Sequence, residues 1–488
     1  MKFMFFIFLF SLNSSTSLFG QTHFNTFFLD KTMRIDYYHM GNATSEEARL
    51  NSIFSYGIWS GNKVNLIDLF NYGKSFYKIV DKQTGQLIYS KGFDSYFKEY
   101  QTTDKAIEGI SKSFYESAII PCPKNTFFFI LEKRDSLDKL HEVFRKEINP
   151  SKDVRKLTLN DKSVKVFTTL NNGTPETKVD IVFIADGYTE NEINKFRLDL
   201  QKATTAFFAL EPLKSMQNKF NIRGVFKPSL QSGVTEPAAG IIKKTAVNTA
   251  FDALGSERYM LTEDIKSLRD IAAYVPYDAI FIMANSNRYG GGGIYNFYCT
   301  FTSDNINSSY LMTHEFGHSF FGLADEYYTS STAYNNPYPQ GNEPLEPNIT
   351  ADINKATLKW RNLLTQDIEV PTPWEKETFD AFDIAWQKER KVMNEEITKL
   401  KKEKAPAAQI ISRKDEYDRK SSSHNKLVQE MLANSKYAGL VGTFEGAGYN
   451  STGLYRPSVN CIMFTQANHF CRVCEAAMVK MINWYTGD

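Results

Sequence analysis

The sequence has 488 residues, which is longer than most single hydrophobic cores and predicts two domains rather than one. Hydrophobic residues make up 42% of the chain and charged residues 23%, a composition typical of a folded globular protein rather than a disordered one. There are 57 Lys and Arg against 56 Asp and Glu, so no overall charge attracts nucleic acid or an anionic membrane. We therefore expect no nucleic-acid partner, and recognition must come from a local site.

The N-terminus has the pattern of an export signal. Lys2 precedes an almost wholly apolar run over residues 3–12, and a polar segment with small residues follows over residues 13–21. This run is too short to span a bilayer but matches a signal peptide, which we predict over residues 1–20 with cleavage near Gly20. The expected location is secreted, periplasmic or at the cell surface, and a buried N-terminal strand is the alternative. No later run is long enough for a membrane span.

Short alternating apolar runs, separated by turn residues, follow the export signal. Their pattern predicts strands at residues 32–39, 75–80, 87–90 and 126–131. Residues 81–86, which contain Gly85, are typical of a hairpin turn. We interpret residues 21–150 as an antiparallel β-sandwich domain. The runs contain no cluster of His, Cys or paired carboxylates, so we expect a structural or binding role for this domain.

Strands alternate with helices from about residue 151 to the end at residue 488, which indicates a second domain of mixed α and β structure. The pattern predicts strands at residues 179–185, 220–226, 278–284 and 294–302. It predicts a helix over residues 190–210 and another that Thr262 opens, with Asp264 in its first turn. Four successive glycines at residues 290–293 predict a flexible bend, because the Lys-Ser/Thr ending of a phosphate-binding loop is missing.

Residues 329–436 differ from their surroundings and are interpreted as a helical insertion. A highly charged helical stretch over residues 374–404 ends before Pro406, and a second polar segment covers residues 411–430. We expect these charges to form a solvated surface, with partner binding as the alternative.

The five cysteines are too few for a scaffold held by many disulfides. Cys471 and Cys474 form a single CxxC pair, for which a metal knuckle or a redox pair are the alternatives, but no second ligand pair at finger spacing is present. We expect both to pack on a helix over residues 470–484, where one of them could bridge to Cys461.

The segment from Tyr310 to Gly322 carries the strongest chemical signal. It reads as a helix, on which His314 and His318 project from one face because they are four residues apart. Two imidazoles at this spacing can bind one tetrahedral Zn²⁺, and Glu315 can act as general base on a metal-activated water. With seven histidines in the chain, a chance match to this pattern is of order one in a hundred.

A catalytic zinc site needs a third protein ligand. The segment resembles the metzincins, zinc peptidases with HExxHxxGxxH or HExxHxxGxxD and a later Met-turn, for which Met463 is the candidate. Gly322 and Asp325 each fall one residue later than in that pattern, and Ala324 takes the position of the ligand. We choose Asp325 as the third ligand. Glu326 and His469 are the alternatives.

A closer resemblance includes the extra residue. Residues 314–327, with their Gly-Leu-Ala-Asp-Glu-Tyr ending, resemble the metallopeptidase family named after the bacterial immunoglobulin A peptidase. Similar blocks occur in both predicted domains, at residues 33–37, 85–93, 186–189 and 445–449. The resemblance implies a β-sandwich domain before an α+β, metzincin-like catalytic domain with a mixed sheet. It also implies a secreted zinc endopeptidase, commonly from gut bacteria, but not cleavage of immunoglobulin A, because specificity lies in the site.

The expected partner is a protein or peptide substrate, with host or glycan-associated proteins among the candidates, and we expect a monomer. A catalytically inert binding protein built on a peptidase fold is the first alternative; intact Glu315 argues against it. A zinc hydrolase of non-peptide bonds is the second, for which an HExxH helix is less typical. Within the site, the strand over residues 294–302 could pair with an extended substrate, with an ordinary edge strand as the alternative. Tyr455 could donate to an oxyanion, with a packing role as the alternative.

Overall fold

The computed structural model describes residues 23–330, 337–339 and 341–488. The predicted signal peptide over residues 1–20 lies outside the described residues. The chain is a mixed α+β protein, as predicted, and its N-terminal part is mostly strands. No helix among the described residues combines the length and the apolar character needed to cross a membrane.

Two four-stranded sheets form the N-terminal part. The first has the order β5-β1-β2-β8, and the second has the order β4-β3-β6-β7. The strands are β1 Phe28–Gly41, β2 Glu46–Tyr56, β3 Ser75–Asp81, β4 Leu87–Phe93, β5 Lys112–Pro123, β6 Phe127–Arg134, β7 Leu140–Ile148 and β8 Arg155–Lys156. Apolar residues of both sheets, such as Ile35 and Phe129, are fully buried in one core cluster. The two sheets therefore pack face to face, although β8 comes after the predicted domain limit at residue 150.

Short helices connect these strands. They are α1 Phe24–Phe27, α2 Tyr96–Tyr100, α3 Asp104–Ile107 and α4 Pro150–Asp153. Ser95 and Thr103 cap α2 and α3 through their side chains, which accept from backbone N–H groups of the first turn.

A six-stranded mixed sheet with the order β13-β14-β12-β10-β11-β9 is the centre of the second part. The strands are β9 Lys165–Leu170, β10 Val179–Asp186, β11 Phe220–Phe226, β12 Ala279–Ala284, β13 Gly291–Ile294 and β14 Tyr298–Thr302. The central β10 is parallel to both its neighbours and buried along its whole length, because helices cover both faces of the sheet. Phe183 and Val182 accordingly point into two different core clusters.

The helices that cover this sheet have conventional starts and ends. They are α5 Ile193–Phe207, α6 Ile265–Ala272, α7 Ser308–Ser319 and α10 Arg472–Thr486. The side chain of Asp264 caps α6 by accepting from Ser267 N, so the helix begins three residues after Thr262. Single 3-10 turns are found at Pro175–Thr177, Glu190–Glu192, Gln217–Lys219, Pro237–Ala239, Ala253–Gly255 and Arg361–Leu363.

The prediction for residues 290–302 was wrong in its details. Three of the four glycines form the edge strand β13, not a bend, and the predicted single strand is a hairpin with a turn at Asn296, whose φ is +53°. A Cβ built at Gly293 would lie 2.4 Å from the backbone O of Glu315 in α7. The glycines are therefore needed where the strand lies directly against this helix.

The predicted insertion contains a long helical hairpin. Its arms are α8 Lys376–Lys402 and α9 Ala407–Ala433. Phe379, Trp386 and Leu432 are buried, whereas most charged residues of the two arms face outward, as a solvated surface requires. A two-stranded sheet of β15 Phe444–Ala447 and β16 Asn450–Arg456 leads from the hairpin back to the site.

Candidate metal centre

Helix α7 holds His314, Glu315 and His318 at the rim of the central sheet. Its apolar side is anchored there, because Phe316 stacks on Phe281 of β12 with the ring centroids 5.1 Å apart. The chain leaves the helix at Gly322, whose φ of +63° favours glycine. The histidines and Glu315 therefore line a cleft on the other side of the helix.

The loop after Gly322 brings Asp325 to both histidines. Asp325 Oδ1 lies 3.0 Å from His314 Nε2 and 3.2 Å from His318 Nε2, and the two Nε2 atoms are 3.1 Å apart. Two nitrogen ligands of a tetrahedral zinc ion at the usual bond length are about 3.3 Å apart. The three predicted ligands thus form one group of the size that a zinc ion requires.

Hydrogen bonds on the other side of each ring fix the tautomers. His314 Nδ1 lies 3.0 Å from the carbonyl O of Ile462, and His318 Nδ1 lies 2.6 Å from that of Leu323. A carbonyl can only accept, so both Nδ1 atoms carry the hydrogen, and Nε2 of each ring is the nitrogen that can bind a metal ion. Two imidazole nitrogens and a carboxylate oxygen therefore point at one another, an arrangement that a shared cation would stabilise.

Burial and neighbouring charges shift the pKa values of Asp325, His318 and Glu315. Burial raises the pKa of Asp325, but His318 and His314 outweigh burial and hold it well below its usual range. Burial lowers the pKa of His318, but Asp325 and Glu315 raise it to about 9. Burial raises the pKa of Glu315 more than the two histidines lower it. Asp325 is therefore an anion at neutral pH, as a metal ligand must be.

Tyr449 is a functional candidate that sequence reasoning missed. Its hydroxyl donates a short hydrogen bond to Asp325 Oδ2, the carboxylate oxygen that does not face the histidines. Its block of sequence was noticed as part of the family resemblance, but no local pattern connects residue 449 with residue 325. The hydrogen bond orients the carboxylate in the way that outer partners orient metal ligands.

The alternative third ligands lie elsewhere. His469 is exposed, and its Nδ1 lies 3.5 Å from Asn468 Oδ1. Glu326 points away from the histidines to a buried group of cysteines. All five cysteines are free, and the Sγ atoms of Cys461 and Cys474 are 3.8 Å apart, so the expected bridge is absent.

Met463 lies under α7. A Cβ built at Gly317 would be 2.8 Å from Met463 Sδ, and the backbone O of Met463 accepts from Glu326 N at 2.8 Å. The turn that contains Met463 also supplies the Ile462 carbonyl to His314. It therefore supports the helix and the ligand loop together. Tyr455, in contrast, lies on β16 and is not among the residues that line the cleft, so the prediction of an oxyanion donor there was wrong.

The edge strand next to Glu315 is β13, because β14 lies between β13 and β12. Part of its outer edge is already used: Met260 N donates to Gly291 O at 3.1 Å, and Gly291 N donates to Arg258 O at 3.3 Å. An extended peptide can therefore pair with β13 only beyond Gly291, on the side of Gly293. This result replaces the prediction that residues 294–302 form the substrate strand.

Both parts of the chain form the walls of the cleft. Tyr72, Lys74 and Asp94 of the N-terminal part face the histidine helix across it. Tyrosines cover much of the remaining wall, namely Tyr259, Tyr289, Tyr295, Tyr310, Tyr327, Tyr338 and Tyr449. The opening is therefore aromatic with a few charges, a surface suited to a polypeptide.

Comparisons with known families decide the class of the protein. The family model described as IgA Peptidase M64 matches residues 168–482, and the one described as Peptidase M64 N-terminus matches residues 23–145. The chain belongs to the IgA peptidase M64 family. The predicted family is thereby confirmed, and no curated protein matches the chain.

Membership of the IgA peptidase M64 family makes the protein a peptidase, which is a hydrolase that acts on protein or peptide substrates. The family is one of metallopeptidases, and His314, His318 and Asp325 form a group that can hold a metal ion. The family and the geometry therefore point to the same cleft.

Proposed function

We propose that the protein is a secreted, zinc-dependent endopeptidase that hydrolyses peptide bonds with Glu315 as general base. The observation that carries this proposal is the convergence of His314 Nε2, His318 Nε2 and Asp325 Oδ1 within 3.2 Å. Two imidazoles and one carboxylate are the ligand set of catalytic zinc sites, in which a fourth position stays open. Magnesium and calcium prefer sites built from oxygen ligands alone.

Zinc in such a site acts as a Lewis acid that makes water more acidic and polarises the scissile carbonyl. Glu315 follows the first histidine and lines the same cleft. Its carboxylate takes the proton of the attacking water and passes it to the leaving amine. Burial raises the pKa of Glu315, which makes its carboxylate a stronger base for this step.

We propose a metzincin-like catalytic arrangement with the third ligand displaced by one residue. Two features support it: Met463 packs beneath Gly317, and Asp325 comes to the histidines after a turn at Gly322. One additional residue before Gly322 lengthens the exit from the helix, so that Asp325 rather than Ala324 reaches the histidines.

Export is proposed from the N-terminal pattern of Lys2 and the apolar run over residues 3–12. The substrate is proposed to be an extended polypeptide that enters the cleft between the two parts of the chain. Host or glycan-associated proteins are candidates, and we expect the protein to act as a monomer.

The decisive test replaces Glu315 with Gln, which keeps the shape of the side chain but cannot accept the proton. We expect a loss of peptidase activity of at least a hundredfold, with bound zinc unchanged. The control is Glu47→Gln, at an exposed glutamate of β2. His318→Ala should remove one zinc ion per chain together with activity. Undiminished turnover by Glu315→Gln would contradict the assigned role of this residue.

A further inference from the structure

A second group of metal-binding side chains begins at the residue after Asp325. Its members are all buried, and one donor atom from each lies within 4.8 Å of the others: Glu326, Cys461, Cys471 and Cys474. The proposed hydrolysis uses none of them. The three cysteines lie within residues 461–474, and Cys471 and Cys474 form the CxxC pair noted in the sequence, but Glu326 is more than a hundred residues away, so a local motif could not identify the whole group.

Three structural segments meet at this group. Cys461 begins the turn that contains Met463, and Glu326 belongs to the loop after α7. Cys471 is the N-cap residue of α10, and Cys474 lies in its first turn. The backbone N–H of Cys471 donates to Cys461 Sγ at 3.3 Å, so this hydrogen bond links the Met463 turn to the start of α10.

The distances in the group fit a tetrahedral thiolate site. Cys461 Sγ and Cys474 Sγ are 3.8 Å apart, and two thiolates on one tetrahedral zinc ion are about 3.8 Å apart. A disulfide would need about 2.05 Å. Cys474 Sγ lies 3.3 Å from Glu326 Oε1, close to the roughly 3.6 Å expected for a sulfur and an oxygen ligand of one zinc ion.

One carboxyl oxygen of Glu326 has no partner in the described part of the chain. Its Oε1 accepts from Asn348 Nδ2 at 3.0 Å and from Cys474 Sγ at 3.3 Å, but Oε2 is fully buried without a hydrogen-bond partner among the described residues. Arg456 is a basic side chain that acts on this carboxylate electrostatically, but its buried Nε and Nη2 atoms make no hydrogen bond in the described part of the chain. Its Nη1 donates to backbone carbonyls of β15 instead. A buried carboxylate without such a partner is costly, and a cation removes that cost.

We propose that Glu326, Cys461, Cys471 and Cys474 bind a second zinc ion in a closed structural site. Thiolates select zinc over magnesium and calcium. Four protein ligands leave no open position for water or substrate, which distinguishes a structural zinc site from a catalytic one. Binding releases the thiol protons to solvent and ties together the ligand loop, the Met463 turn and the start of α10.

Such a site would take no part in the chemical step. It would affect catalysis only by holding neighbouring residues in position. It holds Glu326, and the neighbouring Asp325 faces the histidines at 3.0 Å. The second zinc ion would thus fix the loop from which the third ligand of the first one comes.

Metal analysis of the full chain can separate the two sites. A His314→Ala/His318→Ala double variant should retain one zinc ion per chain. After substitution with cobalt(II), this variant should show the near-ultraviolet absorption of sulfur-to-cobalt charge transfer. Cys471→Ser/Cys474→Ser should lose one zinc ion relative to the parent protein and should lose this absorption. The matched control is Cys122→Ser, at a buried cysteine of β5 outside the group.

A second measurement does not depend on whether the cysteine variants fold. Anomalous diffraction from crystals of the parent protein at the zinc edge should show a peak between Glu326 and the three sulfur atoms. Denatured protein with a chelator should titrate as five free thiols. A zinc-free histidine double variant or a disulfide within the group would overturn this proposal and leave the peptidase proposal intact. If the parent protein held zinc at the cysteine group but none at the histidines, the peptidase proposal would fail and the proposal of a second site would stand.

Discussion

Asp325 and Glu326 are neighbours in the chain, but their carboxylates point into two different groups of metal-binding side chains. Asp325 Oδ1 lies 3.0 Å from His314 Nε2, whereas Glu326 Oε1 lies 3.3 Å from Cys474 Sγ. One short loop therefore connects two groups. The histidine group is open to the cleft, whereas the cysteine group is buried. A change at either residue removes a donor atom from only one of the two groups, so the amount of metal bound by each group distinguishes the two changes.

Asp325→Asn should weaken zinc binding by the histidines. The amide keeps the size of the side chain but removes the anion that faces both Nε2 atoms. We expect at least a tenfold faster loss of one zinc ion per chain during dialysis against a chelator, with a parallel loss of peptidase activity. Asp415→Asn, at an exposed position of α9, is the control. Unchanged retention of zinc would assign the third ligand to another residue.

Tyr449→Phe should make the orientation of the Asp325 carboxylate less fixed, without removing a metal ligand. The hydroxyl that donates to Asp325 Oδ2 is lost, while the ring and its edge-on contact with Tyr327 stay. We expect zinc affinity to fall about 10- to 100-fold, the usual effect of removing an outer hydrogen bond from a metal ligand. Competition with a chromophoric chelator measures this. Tyr38→Phe at the exposed side of β1 should have no effect, and equal affinities for the two variants would contradict a positioning role for Tyr449.

Gly293→Ala should push β13 away from α7. The new Cβ would lie 2.4 Å from the backbone O of Glu315 and 3.0 Å from His318 Cβ. We expect a loss of unfolding free energy of about 1–3 kcal/mol and a drop in activity, measured by urea unfolding and peptide hydrolysis. Gly453→Ala meets no atom within 4 Å and carries only the strain of a φ of +79°. If both variants kept full activity, close packing of β13 on the helix would not matter for catalysis.

Glu46→Gln should show a stability difference that depends on pH. Burial raises the pKa of Glu46, but His39 and Lys98 outweigh burial and lower the pKa to about 2. A lowered pKa adds stability that is complete above the unfolded value near 4.5 and is lost as the pH falls towards 2. We expect the variant to unfold about 3 kcal/mol more easily at pH 7, with a difference that shrinks below pH 4.5 in urea titrations. A constant difference down to pH 3 would contradict the ionic origin.

The parts of the fold that follow from local patterns could be predicted from the sequence. The buried strand β10 ends one residue beyond its predicted limit, and α7 contains the whole HExxH pattern. These elements are specified by short-range apolar periodicity and by a fixed spacing on one helix face. The position of Asp325 was also inferred, because it follows α7 within a few residues.

Contacts between distant segments could not be predicted from local sequence patterns. The glycines at 291–293 disfavour a strand locally, yet they pair with β14 as a strand, in which Gly291 and Gly293 allow close packing on α7. The contact of Tyr449 with Asp325 and that of Cys474 with Glu326 both depend on a return of the chain over more than a hundred residues. The separate roles of Asp325 and Glu326 became visible only when those distant partners were in place.

The N-terminal part also holds the hairpin turn between β13 and β14. Asn296 Nδ2 donates to Gly92 O at 2.7 Å, and Asp94 N donates to Tyr295 O at 2.9 Å. Tyr72 lies against Gly322, where a Cβ would meet its ring at 3.0 Å. The peptidase part, produced alone, would lose one wall of its cleft. It would also lose the contacts that support β13, the strand beside Glu315. Because residues of the N-terminal part line the cleft, we expect an exchange of N-terminal parts between family members to change substrate preference.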